Sequence, residues 1–205
     1  LKRILFGVPL LAVAFVARNA SRCEMRPSAP LFATSAVMEL VSPPIVAAAL
    51  KGLLAPQLEA VNMVNAPALA HERGIAVSET AHDRPCDYQS LIRLSVTTEK
   101  QTRSVAGTLF GGDKPRVVNV KGIALEAELG RRMLYIANED KPGLIGALGT
   151  LLGAAGINIA SFHLGRLRVG GDAIALIEID QAPEAEVLTQ IRALPQVLQA
   201  KILIF

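Results

Sequence analysis

Two short segments hold most of the chemistry on offer: Asn138-Glu139-Asp140-Lys141-Pro142-Gly143 and, further on, Gly156-Ile157-Asn158-Ile159. Asp140 ends a predicted strand, and a helix is expected to open at Pro142-Gly143. The first N–H groups of a helix have no acceptor within it, so they can hold a carboxylate. Asp140 offers its charge to an ammonium group. Asn158, at the start of the next strand, supplies both a donor and an acceptor. A helix N-terminus, a carboxylate and a carboxamide together suit a free α-amino acid. A plainer role exists for each: Asp140 caps the helix and Asn158 closes a loop. Spacing alone favours that plainer role.

Other chemistries find little support. Cys23 and Cys86 are the two cysteines, too few for a disulfide framework, a zinc site or an iron–sulfur cluster. His82 and Cys86 could share a helix face, but His71 and His163 add no ligand spacing, so no metal is expected. Gly146, Gly149 and Gly153 fall inside an amphipathic helix, not in a strand–turn–helix context that would cradle a phosphate. Ser161 beside Phe162-His163 reads as strand surface. No catalytic residue is expected in this chain.

The elements that must position these residues follow from composition and pattern. The chain has 205 residues, 51% of them apolar, enough for a real core in one or two domains. Its 21 Lys+Arg outnumber its 18 Asp+Glu, but unevenly. Residues 1–38 hold Lys2, Arg3, Arg18, Arg22 and Arg26 against Glu24 alone; the remaining 167 residues are nearly neutral. A neutral body lacks the basic face that nucleic acid needs, and 4% aromatic residues without Trp make a poor stacking platform. Leu1 suits a piece of a longer chain, a processed chain or a misplaced start. The apolar run Ile4–Ala17 after Lys2-Arg3 resembles a signal peptide and is short for a membrane span; residues 18–36 also suit a plastid-type transit peptide. A third reading is translated sequence foreign to the fold. The cytoplasm is the expected compartment, with a plastid the alternative if residues 1–38 are a transit peptide; no membrane partner is expected.

Pro27, Pro30, Pro43 and Pro44 predict irregular chain. A helix is expected from Val46 to Pro56, another over Ala66–Arg73. Strands are expected over Ile75–Thr80, Tyr88–Thr98, Arg103–Phe110 and Arg116–Val120. Residues 122–130 read as a domain boundary. Beyond it come a strand (Met133–Ala137), a helix with Leu144, Leu148, Leu151, Leu152 and Ala155 inward, and two strands around Gly170-Gly171-Asp172. A helix after Pro183 and a strand over Val197–Phe205 complete the order βαββαβ, a ferredoxin-like unit. The class is α+β.

Residues 134–159 resemble an ACT regulatory domain, through Asp140-Lys141-Pro142-Gly143 and Gly156-Ile157-Asn158-Ile159. Residues 47–119 resemble the intervening domain of the D-3-phosphoglycerate dehydrogenase family. The matching segments are Gly52-Leu53-Leu54, Val61-Asn62-Met63-Val64-Asn65-Ala66-Pro67, Glu72-Arg73-Gly74-Ile75 and Gly107-Thr108-Leu109-Phe110-Gly111. The resemblance implies an unassigned segment at 1–38, an α/β intervening domain at 39–125 and an ACT domain at 131–205. It implies the regulatory tail of an NAD-dependent oxidoreductase acting on 3-phosphoglycerate in L-serine biosynthesis, with NAD and the catalytic residues carried elsewhere in the family's full chain. It further implies ACT domains paired in a homo-oligomer, with L-serine or a similar amino acid at their interface. Asp140 would take the ammonium, Asn158 would reach across to carboxylate and hydroxyl, and Gly143 would allow close approach. Asn138 stands where relatives place His or Tyr. Lys114, Arg116 and Lys121 match the neighbourhood of an anion site in some relatives. Two other readings are the β-type module of L-serine dehydratase and an ACT interaction module with no ligand.

Overall fold

A computed structural model describes residues 34–78, 88, 91–98, 101–111 and 113–205, with the backbone alone for 34–43. The segment 1–33, Cys23, His82, Cys86 and the end of the strand expected to reach Thr80 lie outside the described residues. The chain divides into two compact units, 1–115 and 116–205.

In the first unit, α1 (Thr34–Leu54) is longer than expected and runs through Pro43 and Pro44. An interior proline removes an N–H donor and crowds the carbonyl four residues back, which is why irregular chain was expected there; its φ is nevertheless compatible with a helix, and the helix continues. Leu50 and Leu54 of α1 pack on Ala66 and Ala70 of α2 (Ala66–Glu72). Residues 75–78 form no strand. The Ile75 N–H is already bonded to Ala70 O at 3.0 Å, closing α2. Strands β1 (Ile92–Thr98) and β2 (Gln101–Phe110) then pair antiparallel.

The second unit starts within β3 (Lys114–Val120). Residues 122–130, read as a boundary, hold a strand, β4 (Ile123–Glu128), antiparallel to β3. Buried Ile123, Leu125 and Ala127 alternate with exposed Ala124, Glu126 and Glu128, a period of two that burial on one face explains. In sheet order β1 neighbours β2 within the first unit, and β3 neighbours β4 within the second.

Next come β5 (Arg132–Glu139), α3 (Leu144–Ala154), β6 (Ile159–Arg166), β7 (Asp172–Ile179), α4 (Ala185–Ala193) and β8 (Val197–Ile204). This is the expected βαββαβ order, with antiparallel sheet order β6-β7-β5-β8. Both helices cover one face. Leu144, Leu148 and Leu152 of α3 and Ile191 of α4 close over Leu134, Ile136, Ala175, Ile177 and Ala200. On the other face, Gly165 of β6 lies against the Ala124 carbonyl of β4. The fold is α+β, with β6 and β8 as the edges of the second sheet.

Candidate functional site

Asp140 lies in the loop between β5 and α3. It was expected to cap the helix or to hold a ligand. It does not cap: α3 opens at Leu144, its N-cap is Gly143, and no side chain bonds that cap. Gly143 holds the cap with φ +98°, a conformation that L side chains rarely adopt. The helix therefore begins later than Pro142, and its first intrahelical bond runs from Ala147 N–H to Gly143 O at 3.0 Å. The N–H groups of Leu144, Ile145 and Gly146 precede that bond and face the loop end of the helix.

The Asp140 carboxylate turns to the β6–β7 hairpin. Arg166 Nη1 donates to Oδ2 at 2.9 Å, and the Gly170 N–H donates to the same oxygen at 3.2 Å. The Asp140 N–H in turn donates to Gly171 O at 2.8 Å. The Arg166 hydrogen bond, then the Gly170 amide, hold the Asp140 carboxyl below its ordinary 3.8. A depressed folded-state pKa stabilises the fold above the unfolded value and is lost as pH falls through the folded one. We therefore expect the hairpin clamp to be intact near neutrality and to loosen only as pH falls below the ordinary carboxylate range. Amide exchange at Gly170 and Gly171 should accelerate there, in excess of a distant pair such as Leu134 and Ile177. Equal acceleration at all four would refute a local clamp.

Asn138 lies on the helix-covered face of β5, in line with Leu134 and Ile136. It is 2% exposed. Its Nδ2 donates to Glu139 O at 2.9 Å, whereas its buried Oδ1 has no hydrogen-bond partner among the described residues. An orphaned buried acceptor is costly, about 1–3 kcal/mol, so it asks for a donor. Asn138 sits opposite Ala173 of β7, and Ala173 sits opposite Arg166 of β6. Residues directly opposite share a face, so Asn138, Ala173 and Arg166 form one row under the N-terminal end of α3.

Asn158 is not brought to this row. It precedes β6, where its Nδ2 donates to Asp180 Oδ2 at 2.9 Å. Asp140 is tied to the opposite end of β6, so on the order of 25 Å of strand separates the two. Within one chain the amino-acid candidates split into two groups: Asn138, Asp140 and Gly143 at one end, Asn158 at the other.

The anion candidates are spread along β3. Lys114 begins the strand, and Lys121, with φ +54°, sits in the turn after it. They stand on the order of 20 Å apart. Arg116 pairs with Glu128 at 3.1 Å, which neutralises the charge an anion would use. Among the described residues, no group of three or more His, Cys, Asp and Glu could hold a metal ion, and no helix is long and apolar enough to cross a membrane.

Sequence reasoning missed Arg166 and Ala173. Leu164-Gly165-Arg166 before a Gly170-Gly171 turn marks a strand end, but only the register of β6 on β7 and β5 reveals what Arg166 faces.

Comparison with known proteins bears on both units. Residues 32–121 match the family model of the D-3-phosphoglycerate dehydrogenase intervening domain, and residues 132–196 match that of the ACT domain. The chain is similar to the D-3-phosphoglycerate dehydrogenase of Synechocystis sp., 38% identical over 151 residues, 73% of this chain and 27% of that one. It is 32% identical to the Bacillus subtilis enzyme of the same name over 160 residues, 78% of this chain and 30% of that one. With the Methanocaldococcus jannaschii enzyme of that name it shares 34% over 149 residues, 72% and 28%. The chain thus spans less than a third of the length of these relatives.

Proposed function

The chain belongs to the D-3-phosphoglycerate dehydrogenase family, as its C-terminal regulatory part, and from that premise we propose that it binds a small α-amino acid between two paired copies of its ACT domain. The separation of Asp140 and Asn158 along β6 carries this reading. β6 is a sheet edge, with a row of backbone groups open to another strand. Antiparallel pairing of β6 with a second copy, centred near Phe162, brings Asn158 of the partner subunit against Arg166 and Asp140. The two half-sets then form one site, repeated twice by symmetry. Exposed Leu164, at 42%, lies on that edge and would be covered.

In this site Asp140 takes the ammonium, the first-turn N–H groups of α3 face the ligand, and Asn138 offers its orphaned oxygen. L-Serine is the first candidate, as the product of the family's pathway acting back on the enzyme. NAD and the oxidation of 3-phosphoglycerate belong to the catalytic part of the whole family member, and a cytoplasmic setting accompanies that role.

Calorimetry on the chain should register heat with L-serine, and Asp140→Ala should remove it. Asn138→Leu should remove it too, while the melting temperature holds or rises, because an apolar group replaces an unpaired acceptor. Sedimentation should show a dimer. No heat with L-serine, glycine or L-alanine, or heat unchanged in Asp140→Ala, would sink the reading.

A further inference from the structure

We propose that Arg166 is the residue that reads the ligand's carboxylate, exchanging its pairing with Asp140 for that carboxylate. This rests on the amino-acid reading above and adds a residue to it. Arg166 Nη1 sits 2.9 Å from Asp140 Oδ2, on the carboxylate assigned to the ligand's ammonium. The Arg166 side chain is 55% exposed, against 20% for Asp140, so its remaining donors are open while the acid is largely covered. A guanidinium has a planar fork of donors that matches a carboxylate.

The row beneath fits the same ligand. Ala173, 1% exposed, is the small residue between Arg166 and Asn138. Strands spaced about 4.8 Å apart set Arg166 and Asn138 roughly 10 Å from each other, with only a methyl group between. A cation stands at one end of that row and an orphaned buried acceptor at the other.

Charge arithmetic selects the ligand class. The Asp140–Arg166 pair is neutral, and so is a zwitterion. When an α-amino acid enters, its ammonium replaces the guanidinium on Asp140, and its carboxylate takes the released guanidinium. One ion pair becomes two and no charge is stranded. An amine without a carboxylate takes Asp140 and leaves Arg166 unpaired. An acid without an amine takes Arg166 and strands Asp140. The site therefore demands both groups on one small molecule.

The test is calorimetry with L-serine, ethanolamine and D-glycerate on the wild-type chain, Arg166→Ala and Arg166→Lys, each checked for its dimer and melting temperature. The wild type should bind L-serine at least tenfold more tightly than either half-ligand. Arg166→Ala should lose at least tenfold for L-serine and none for ethanolamine, which no longer has to displace the guanidinium. Arg166→Lys, which keeps the charge without the fork, should fall between, and it carries the test if Arg166→Ala fails to fold. L-Serine bound as tightly by the variants as by the wild type would overturn the inference alone, leaving Arg166 a clamp on Asp140. No heat from the wild type with L-serine, glycine or L-alanine would overturn the amino-acid reading and this inference together.

Discussion

Gly165→Ala should lower the melting temperature of the second unit by on the order of 15 °C, from a loss of about 3 kcal/mol. A β-carbon at residue 165 would meet the Ala124 carbonyl oxygen at 2.2 Å, Ile123 Cγ2 at 2.9 Å and Leu125 Cβ at 3.0 Å. The nearest of these is backbone, so no rotamer change relieves it. β4 would have to lift from β6, exposing Ile123 and Leu125, now 3% and 6% exposed. Gly149→Ala is the contrasting substitution. Nothing lies within 4 Å of its added carbon, and its helix gains propensity, so stability should rise by about 0.5–1 kcal/mol. Thermal unfolding followed by circular dichroism separates the two. A Gly165→Ala melt within a few degrees of the wild type would contradict the tight packing of β4 on β6.

The opposite signs at two glycines show where sequence reasoning reached and where it stopped. Gly149 was legible: it falls in a run where Leu144, Leu148 and Leu152 recur at helical spacing, and all three are buried. The helix after Pro183 was legible too, and Val187 and Ile191 of α4, with Leu194 just beyond it, pack on the core. Periodicity is local, and so is the information in it. Gly165 was not legible, because its neighbour Ala124 belongs to a strand that was read as a boundary. β4 alternates apolar and acidic residues over a short span, and alanines at 124 and 127 blur the pattern. The long α1 was hidden by Pro43-Pro44, a pair that usually stops a helix.

The site divides along the same line. Asn138, Asp140, Gly143 and Asn158 could be marked from motif and resemblance, yet their arrangement could not. Asp140 meets Arg166 and Gly170, 26 and 30 residues away, through the register of a hairpin. Spacing alone sets Asn158 one helix away from Asp140, and the resemblance put it across an interface. In space, β6 runs between them. A motif names the residues of a site, and the topology decides whether one chain can assemble it.

Leu148→Ala tests whether that topology acts as one cooperative body. Leu148 is fully buried, with Leu134 and Ile136 of β5 and Ile191 of α4 in the same cluster. Truncation removes apolar contact and leaves a cavity that the helix cannot refill, a loss of about 3–4 kcal/mol. A unit of this size has on the order of 5–13 kcal/mol to lose. Leu148→Met, which keeps the volume, should lose less than about 1.5 kcal/mol. Urea unfolding should show a lower midpoint with an unchanged slope. The sharper readout is hydrogen exchange at β4. If the contact at Gly165 locks β4 to the ACT sheet, amides of Leu125 and Ala127 lose protection by the same free energy as those of Leu134 and Ile136, although β4 lies on the face away from Leu148. If β4 keeps its protection while β5 loses it, the hairpin of β3 and β4 is a separate cooperative unit. A defect in the helix layer would then stop at the sheet. Equal loss means that a change under α3 is felt on the far face, as a regulatory domain requires if events at the Asp140 end are to reach the residues that precede it in the chain.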